Sequence, residues 1–436
     1  VRSLQDRQRI DASARLRLVG FVLFVAIYFL SFLQRVAVSV VADNLVLELG
    51  LDSVALGFMS SGFFISYAVL QPALGFLSDK LGPERVSAVA VFVAAIGSFL
   101  FAGARGFTSA FLGRIIMGAG LAAGFIPGIK FIALNFPPQV FSTYNSLFIA
   151  IGNIGALMGA APLAWLATAA GWRQVFTGLA VVALLLAGLC WIFATKQPIP
   201  EQQDQDMDSY DKPSSYLDVI MNRNLQLLSF FLFARYGTQM AFQALWGVPY
   251  ISGVYEVSPT SAAAVITMIA TGYVIGAPVV GRLADVLAAR GMDAFTARWN
   301  ILLGTAVCYF LTWVPIALDP GFLSFRAMYV LLFIMGAAAS SAGLVYSIAK
   351  DLFPPGVSGF ATGLVNVMSI MGGAVMPPLV GWFIRLFTAR GLEGGGLYSN
   401  ALVPCLVFAA LGVGFILMVR KPVEESSGSG IKRSEN

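Results

Sequence analysis

Apolar stretches of about twenty residues recur along this whole chain, each long enough to cross a hydrocarbon layer of roughly 30 Å. A helix satisfies its own backbone hydrogen bonds in lipid, so the pattern predicts a bundle of membrane-crossing helices. Hydropathy places twelve spans near residues 18–42, 54–78, 86–104, 107–135, 140–168, 174–195, 224–251, 259–283, 297–316, 325–349, 357–387 and 399–420. Composition agrees, since 58% of the 436 residues are hydrophobic and only 11% charged, against about 25% charged in soluble globular chains. The net charge of +5 then marks basic loops at a membrane surface and not a nucleic-acid partner.

The stretch from Lys196 to Asn222 differs in kind. It holds Pro198, Pro200 and Pro213 and the run Gln203-Asp204-Gln205-Asp206, and reads as a solvated linker. The expected organisation is a tail over 1–17, a six-helix bundle over 18–195, a linker over 196–223, a second bundle over 224–420 and a tail over 421–436. The Arg-rich first tail lacks the short apolar segment of a signal peptide. Lys and Arg concentrate on the loops that share a side with both tails, which predicts a multi-pass protein of the cell (inner) membrane with both termini cytoplasmic. Cys190, Cys308 and Cys405 fall inside spans and read as small packing residues.

The two halves repeat one another. Gly75-Phe-Leu-Ser-Asp79 after the second span returns as Gly281-Arg-Leu-Ala-Asp285 after the eighth. Met117-Gly118-Ala119, followed by Phe136-Pro137-Pro138, returns as Met335-Gly336-Ala337 followed by Phe353-Pro354-Pro355. Internal duplication of this kind is characteristic of secondary transporters. Gly75 through Arg85 resembles the loop 2–3 signature of the major facilitator superfamily, and Gly113-Arg114 through Gly120 its fourth-helix motif. The resemblance implies an all-α fold of two pseudo-symmetric six-helix bundles around a central cavity, working by alternating access. It also implies gating roles for Asp79, Arg85, Arg114 and Asp285. Asp79 would face the start of span 11 near Gly356, where a helix N-terminus favours a carboxylate, with Arg85 as its pairing partner. Asp285 would do the same at the start of span 5.

Charge inside the membrane is the sharper functional signal. Once loops and helix ends are set aside, Arg114 among them, Arg35, Lys130 and Arg235 remain within spans. Each costs about 2.5–3.5 kcal/mol at the bilayer centre, so a cation kept there marks a site. No Asp or Glu lies mid-span to pair with them, which implies an anionic ligand; for Lys130 the competing reading is a side chain that snorkels to water. Arg offers a planar fork to carboxylate or phosphate, and Lys a mobile point charge. Arg235-Tyr236-Gly237 together with Arg35 resembles the paired arginines of organophosphate:phosphate antiporters. Phe32 to Arg35 and Gly118 to Pro137 resemble the related anion:cation symporters. In that group an Asp precedes the span 1 Arg and a Glu follows the paired glycines of span 4; here those positions are Gln34 and Leu121. The polar residues Tyr67, Gln71, Asn145, Gln239, Gln243, Tyr346 and Asn366 are the further substrate-binding candidates, with Tyr144, Asn153, Trp246 and Tyr273 behind them.

The expectation is therefore a monomeric carrier in the bilayer for a small organic anion, a phosphate ester or carboxylate, working by exchange. No cofactor is implied, and the sequence shows no nucleophile with a base, no metal-ligand cluster and no nucleotide-binding loop. Two rivals stand beside it: a multidrug efflux carrier, and a membrane anion sensor built on a transporter fold.

Overall fold

The computed structural model describes residues 4–195, 216–353 and 355–421. Most of the expected linker and the second tail lie outside these residues. The first six spans comprise α1 (Leu4–Leu49), α2 (Ser53–Leu81), α3 (Pro83–Ala102), α4 with α5 (Phe107–Leu121 and Ile126–Asn135), α6 with α7 (Pro138–Met158 and Ala161–Ala170) and α8 (Trp172–Ala194). A short helix α9 (Tyr216–Met221) precedes the second set. That set comprises α10 with α11 (Arg223–Ala241 and Gly247–Tyr255), α12 (Pro259–Ala289), α13 (Ala294–Leu318), α14 with α15 (Phe325–Ala339 and Ala342–Asp351), α16 (Pro355–Thr388) and α17 (Gly394–Met418). The expected first tail is helical from Leu4, because neither Gly nor Pro interrupts the stretch between Leu4 and the first apolar span.

Among the described residues, eleven segments are long and apolar enough to cross a membrane. The seventh span falls short of that test because its polarity is built in. A π-helical turn at Phe242–Trp246 divides it, and α10 carries Arg223, Asn224, Gln226, Arg235 and Gln239. π-Turns inside helices gather at functional sites. Arg235, Gln239 and Gln243 stand at successive intervals of four, so they form one polar stripe down a single helix face.

Close packing explains one of the repeated motifs. A Cβ at Gly118 would overlap the carbonyl oxygen of Phe63 in α2, and a Cβ at Gly336 would overlap that of Ile269 in α12. The glycine of each Met-Gly-Ala therefore lets a helix lie directly on the backbone of its neighbour, the usual means of helix association in lipid.

The halves meet mainly along α2 and α16. Ser53 Oγ donates to the Gly381 carbonyl at 2.8 Å, and Ser61 Oγ donates to that of Ala374. Between these bonds, Gly57 lies against Pro378 with no room for a side chain. A second contact joins α7 to α12, where the Ala161 amide donates to Thr267 Oγ1 at 3.4 Å. All these contacts lie toward the side away from the chain termini, so the bundle is closed on that far side.

Candidate functional site

Midway along the bundle, Arg35 of α1 and Arg235 of α10 line one cavity from opposite halves. Phe32, Asn153, Tyr236, Gln239, Gln243 and Tyr273 complete its polar and aromatic wall. Among the described residues, neither arginine has an acidic partner. The Arg35 guanidinium lies 4.5 Å from the centroid of Phe32 and 4.4 Å from that of Tyr67. Two desolvated cation–π contacts of about 2 kcal/mol each rival the insertion cost of about 2.5–3.5 kcal/mol. The aromatic seat thus holds the charge in place without neutralising it. At its edge, Nη1 donates to the Tyr236 hydroxyl at 3.1 Å, Nη2 reaches Ser31 Oγ at 3.5 Å, and Nε is buried without a hydrogen-bond partner.

Arg235 is held more firmly. Its Nη1 donates to the Ala339 carbonyl at 2.7 Å and to Gln239 Oε1 at 3.0 Å, while Nε again lacks a partner. Ala339 ends α14 next to the break at Ser340 and Ser341, so the interruption of that span presents the carbonyl that fixes Arg235. The Gln239 amide passes the polarity on to Gln243 Oε1 at 3.1 Å. The enclosed space is about 50 Å³, room for a few waters and too small for a six-carbon acid. Binding therefore requires side chains to move.

The remaining candidates separate into groups. Gln71, Asn366 and Tyr346 form a thread across the halves: the Tyr346 hydroxyl donates to Asn366 Oδ1 at 3.1 Å, and Asn366 Nδ2 donates to Gln71 Oε1 at 2.9 Å. This thread lies one helical turn from Tyr67 on the side of the termini, and Gln71 Nε2 is buried without a partner. Trp246 donates to the Pro377 carbonyl at 2.9 Å, a packing contact within its own half. Tyr144 packs against Phe136 with ring centroids 3.9 Å apart and planes tilted by 33°, and Asn145, its neighbour in α6, is not part of the cavity wall.

Lys130 differs from the sequence expectation. Its ammonium is paired with Asp79 at the termini-side end of the first half, joining α5 to α2. Lys130 lies five residues before the end of α5 at Asn135 and is not part of the wall that holds the two arginines. Arg85, the expected partner of Asp79, donates to the Leu81 carbonyl at 3.2 Å. The second half has an analogous pair between Arg298 of α13 and Asp351 of α15, whereas Asp285 stands exposed near the end of α12. Asp79→Asn and Lys130→Gln are each expected to slow turnover by up to about fivefold, the weight of a largely exposed ion pair. Substrate affinity should stay unchanged, and the double variant should be no slower than either single one. Initial rates and binding isotherms on the three variants check this; a loss of affinity for Lys130→Gln would return that residue to the cavity.

Arg114 also departs from its expected place at a helix end. It lies two turns inside α4, on the face that packs against α1 and α2, and is completely buried. It donates to the Gln34 carbonyl at 3.0 Å, contacts Met117 Sδ and lies 4.5 Å from the Phe63 ring centroid, while Nε and Nη2 have no hydrogen-bond partner. The Gln34 side chain is engaged instead with Ser98 at 3.2 Å. Tyr236 is not among the residues that the sequence marks as candidates. Its one signal was a phenol within a span, one residue after an intramembrane arginine.

Two six-helix bundles with a charged site where their faces meet define a multi-pass membrane transporter fold. The chain belongs to the Major Facilitator Superfamily, whose model matches residues 24–292 and 228–435. It is similar to a probable galactarate/D-glucarate transporter of Bacillus subtilis (strain 168), 24% identical over 425 residues and covering 90% of this chain and 91% of that one. It is also similar to the hexuronate transporter of the same organism, 25% identical over 421 residues, with 92% and 94% covered. Among solved structures, a bacterial homologue of the human lysosomal transporter Spinster, in an inward-facing and unoccupied conformation, superposes with a TM-score of 0.74. Sequence identity there is 18%, and 93% of this chain and 97% of that one are covered. The family consists of transporters and not enzymes.

Proposed function

We propose that this protein carries a small organic anion across the cell membrane, and that its substrate is a polyhydroxylated carboxylate of the sugar-acid class. The observation that carries this reading is the pair of buried arginines, one from each half, facing one cavity whose described wall contains no acid. A carboxylate matches the planar fork of Arg at both ends of such a cavity. The neutral amides and phenols beside them, Gln239, Gln243, Asn153 and Tyr273, suit hydroxyl groups, because each can donate or accept. The names of the relatives, transporters of galactarate, glucarate and hexuronate, favour a sugar acid over a phosphate ester. A cation-exporting pump would need a negative charge where this cavity has two positive ones. The placement of Lys and Arg supports cytoplasmic termini, and so a far-side closure that faces the exterior.

A thermal-shift panel tests the substrate class. D-Glucarate, galactarate and a hexuronate should raise the melting temperature in a saturable way, since a ligand at a hundred times its Kd adds about 2.7 kcal/mol of stability. Glycerol phosphate should add less, and a neutral hexitol nothing. Stabilisation by the hexitol equal to that by glucarate would remove the anion from the account.

A further inference from the structure

Arg35 has no acidic side chain beside it among the described residues, yet its best-placed edge nitrogen is occupied. Its 3.1 Å bond to Tyr236 crosses from one half of the molecule to the other, and is the shorter of its two side-chain hydrogen bonds. The Tyr236 ring is held by both halves too. It meets Phe64 of α2 edge-on at 6.4 Å, and Gly373 of α16 leaves the space in which the two rings meet, since a Cβ there would stand 3.2 Å from Tyr236 and 3.1 Å from Phe64. The hydroxyl lies at the wall of a cavity too small for substrate. Something at this wall must yield when substrate enters, and a neutral phenol on a cationic nitrogen is the contact that a carboxylate most readily replaces. The bond to Tyr236 is charge-assisted through its donor alone, whereas a carboxylate brings the opposite charge and can accept from the guanidinium fork at two nitrogens.

We infer that the Tyr236 hydroxyl is a placeholder for the substrate carboxylate: in the empty carrier it occupies Arg35 and ties the two halves together, and arriving substrate displaces it. The inference rests on the anion-carrier reading for its second half only; the tie itself is a property of the empty protein. Displacement gives binding a direct mechanical consequence. The cross-half bond at the centre is exchanged for contacts to a ligand that both arginines share, and the far-side seam along α2 and α16 loses its central support. Tyr236 acts through Arg35 and is a positioning residue.

Tyr236→Phe removes the hydroxyl and keeps the ring packed between Phe64 and Gly373. Two measurements on the full chain test the inference. In the first, spin labels at Leu47→Cys and Phe322→Cys, both exposed at the far side on opposite halves, report the empty protein in a Cys308→Ser background, the other two cysteines being buried. The far-side-open distance population should rise about tenfold in Tyr236→Phe, the weight of one hydrogen bond to a charged group. In the second, calorimetry with D-glucarate should show binding about tenfold tighter than the parent, because an internal competitor is gone. A merely structural tyrosine would not tighten binding, and one that contacts substrate would weaken it. Unchanged distance distributions overturn the tie, and unchanged or weaker glucarate binding overturns the placeholder. Should the parent bind no sugar acid, the substrate reading fails, while the spin-label measurement still decides the tie.

Discussion

Arg35→Ala and Arg235→Ala should each abolish anion binding at working concentrations while leaving the protein inserted and folded. Truncating one partner of a desolvated charge pair costs about 2–5 kcal/mol, roughly thirtyfold to several thousandfold in Kd. The fold should survive for a reason visible in each environment. Arg35 gives up one bond to Tyr236, a weak one to Ser31 and its contacts with two rings, and it takes with it a buried charge that no described acid balances. Arg235 leaves the Ala339 carbonyl and Gln239 short of a donor, at about 1–3 kcal/mol for an unsatisfied buried group, but the cavity beside it admits water. Lysine at either position keeps the charge and loses the fork, so its binding should fall between parent and alanine. Isothermal calorimetry with D-glucarate, beside size-exclusion profiles of each variant, measures this. Parental affinity in either alanine variant would make that arginine structural.

Much of this was legible in the sequence, and what was not has identifiable causes. Span count, duplication and the two cavity arginines follow from hydropathy and from the cost of burying charge, both read one residue at a time. Lys130 and Arg114 were misplaced because their depth depends on geometry that hydropathy does not resolve. Lys130 lies near the end of α5, where α2 brings Asp79 to it, and Arg114 lies two turns inside α4 on the face that meets Gln34 of α1 and Phe63 of α2. Asp79 sits 51 positions from Lys130 in the chain, so their pairing is a tertiary fact. The Met-Gly-Ala repeat is visible in the sequence, but not the carbonyls its glycines lie against. Tyr236 is not legible in the sequence, because a tyrosine in a span is ordinary until the opposite half brings an arginine to its hydroxyl.

Two positive charges in a described cavity wall with no acid motivate a hypothesis for the coupling mode. Proton symport needs a group in the site that takes up and releases H⁺, a carboxylate or His with a shifted pKa. The chain has no His, the described cavity wall has no Asp or Glu, and Gln34 and Leu121 occupy the positions where related symporters keep acids. Arg does not deprotonate usefully, and Lys130 is engaged with Asp79 away from the cavity. An empty site carrying two cations is costly to take through an occluded intermediate, whereas one loaded with a dicarboxylate is neutral. The hypothesis is obligatory exchange of one anion for another, strongest for a diacid. The most direct test is uptake of labelled D-glucarate by vesicles containing the purified protein. Vesicles preloaded with unlabelled glucarate should accumulate label in a saturable way, and empty vesicles should not, with or without an imposed pH gradient. Uptake into empty vesicles driven by the pH gradient, or no uptake into preloaded ones, would contradict the account.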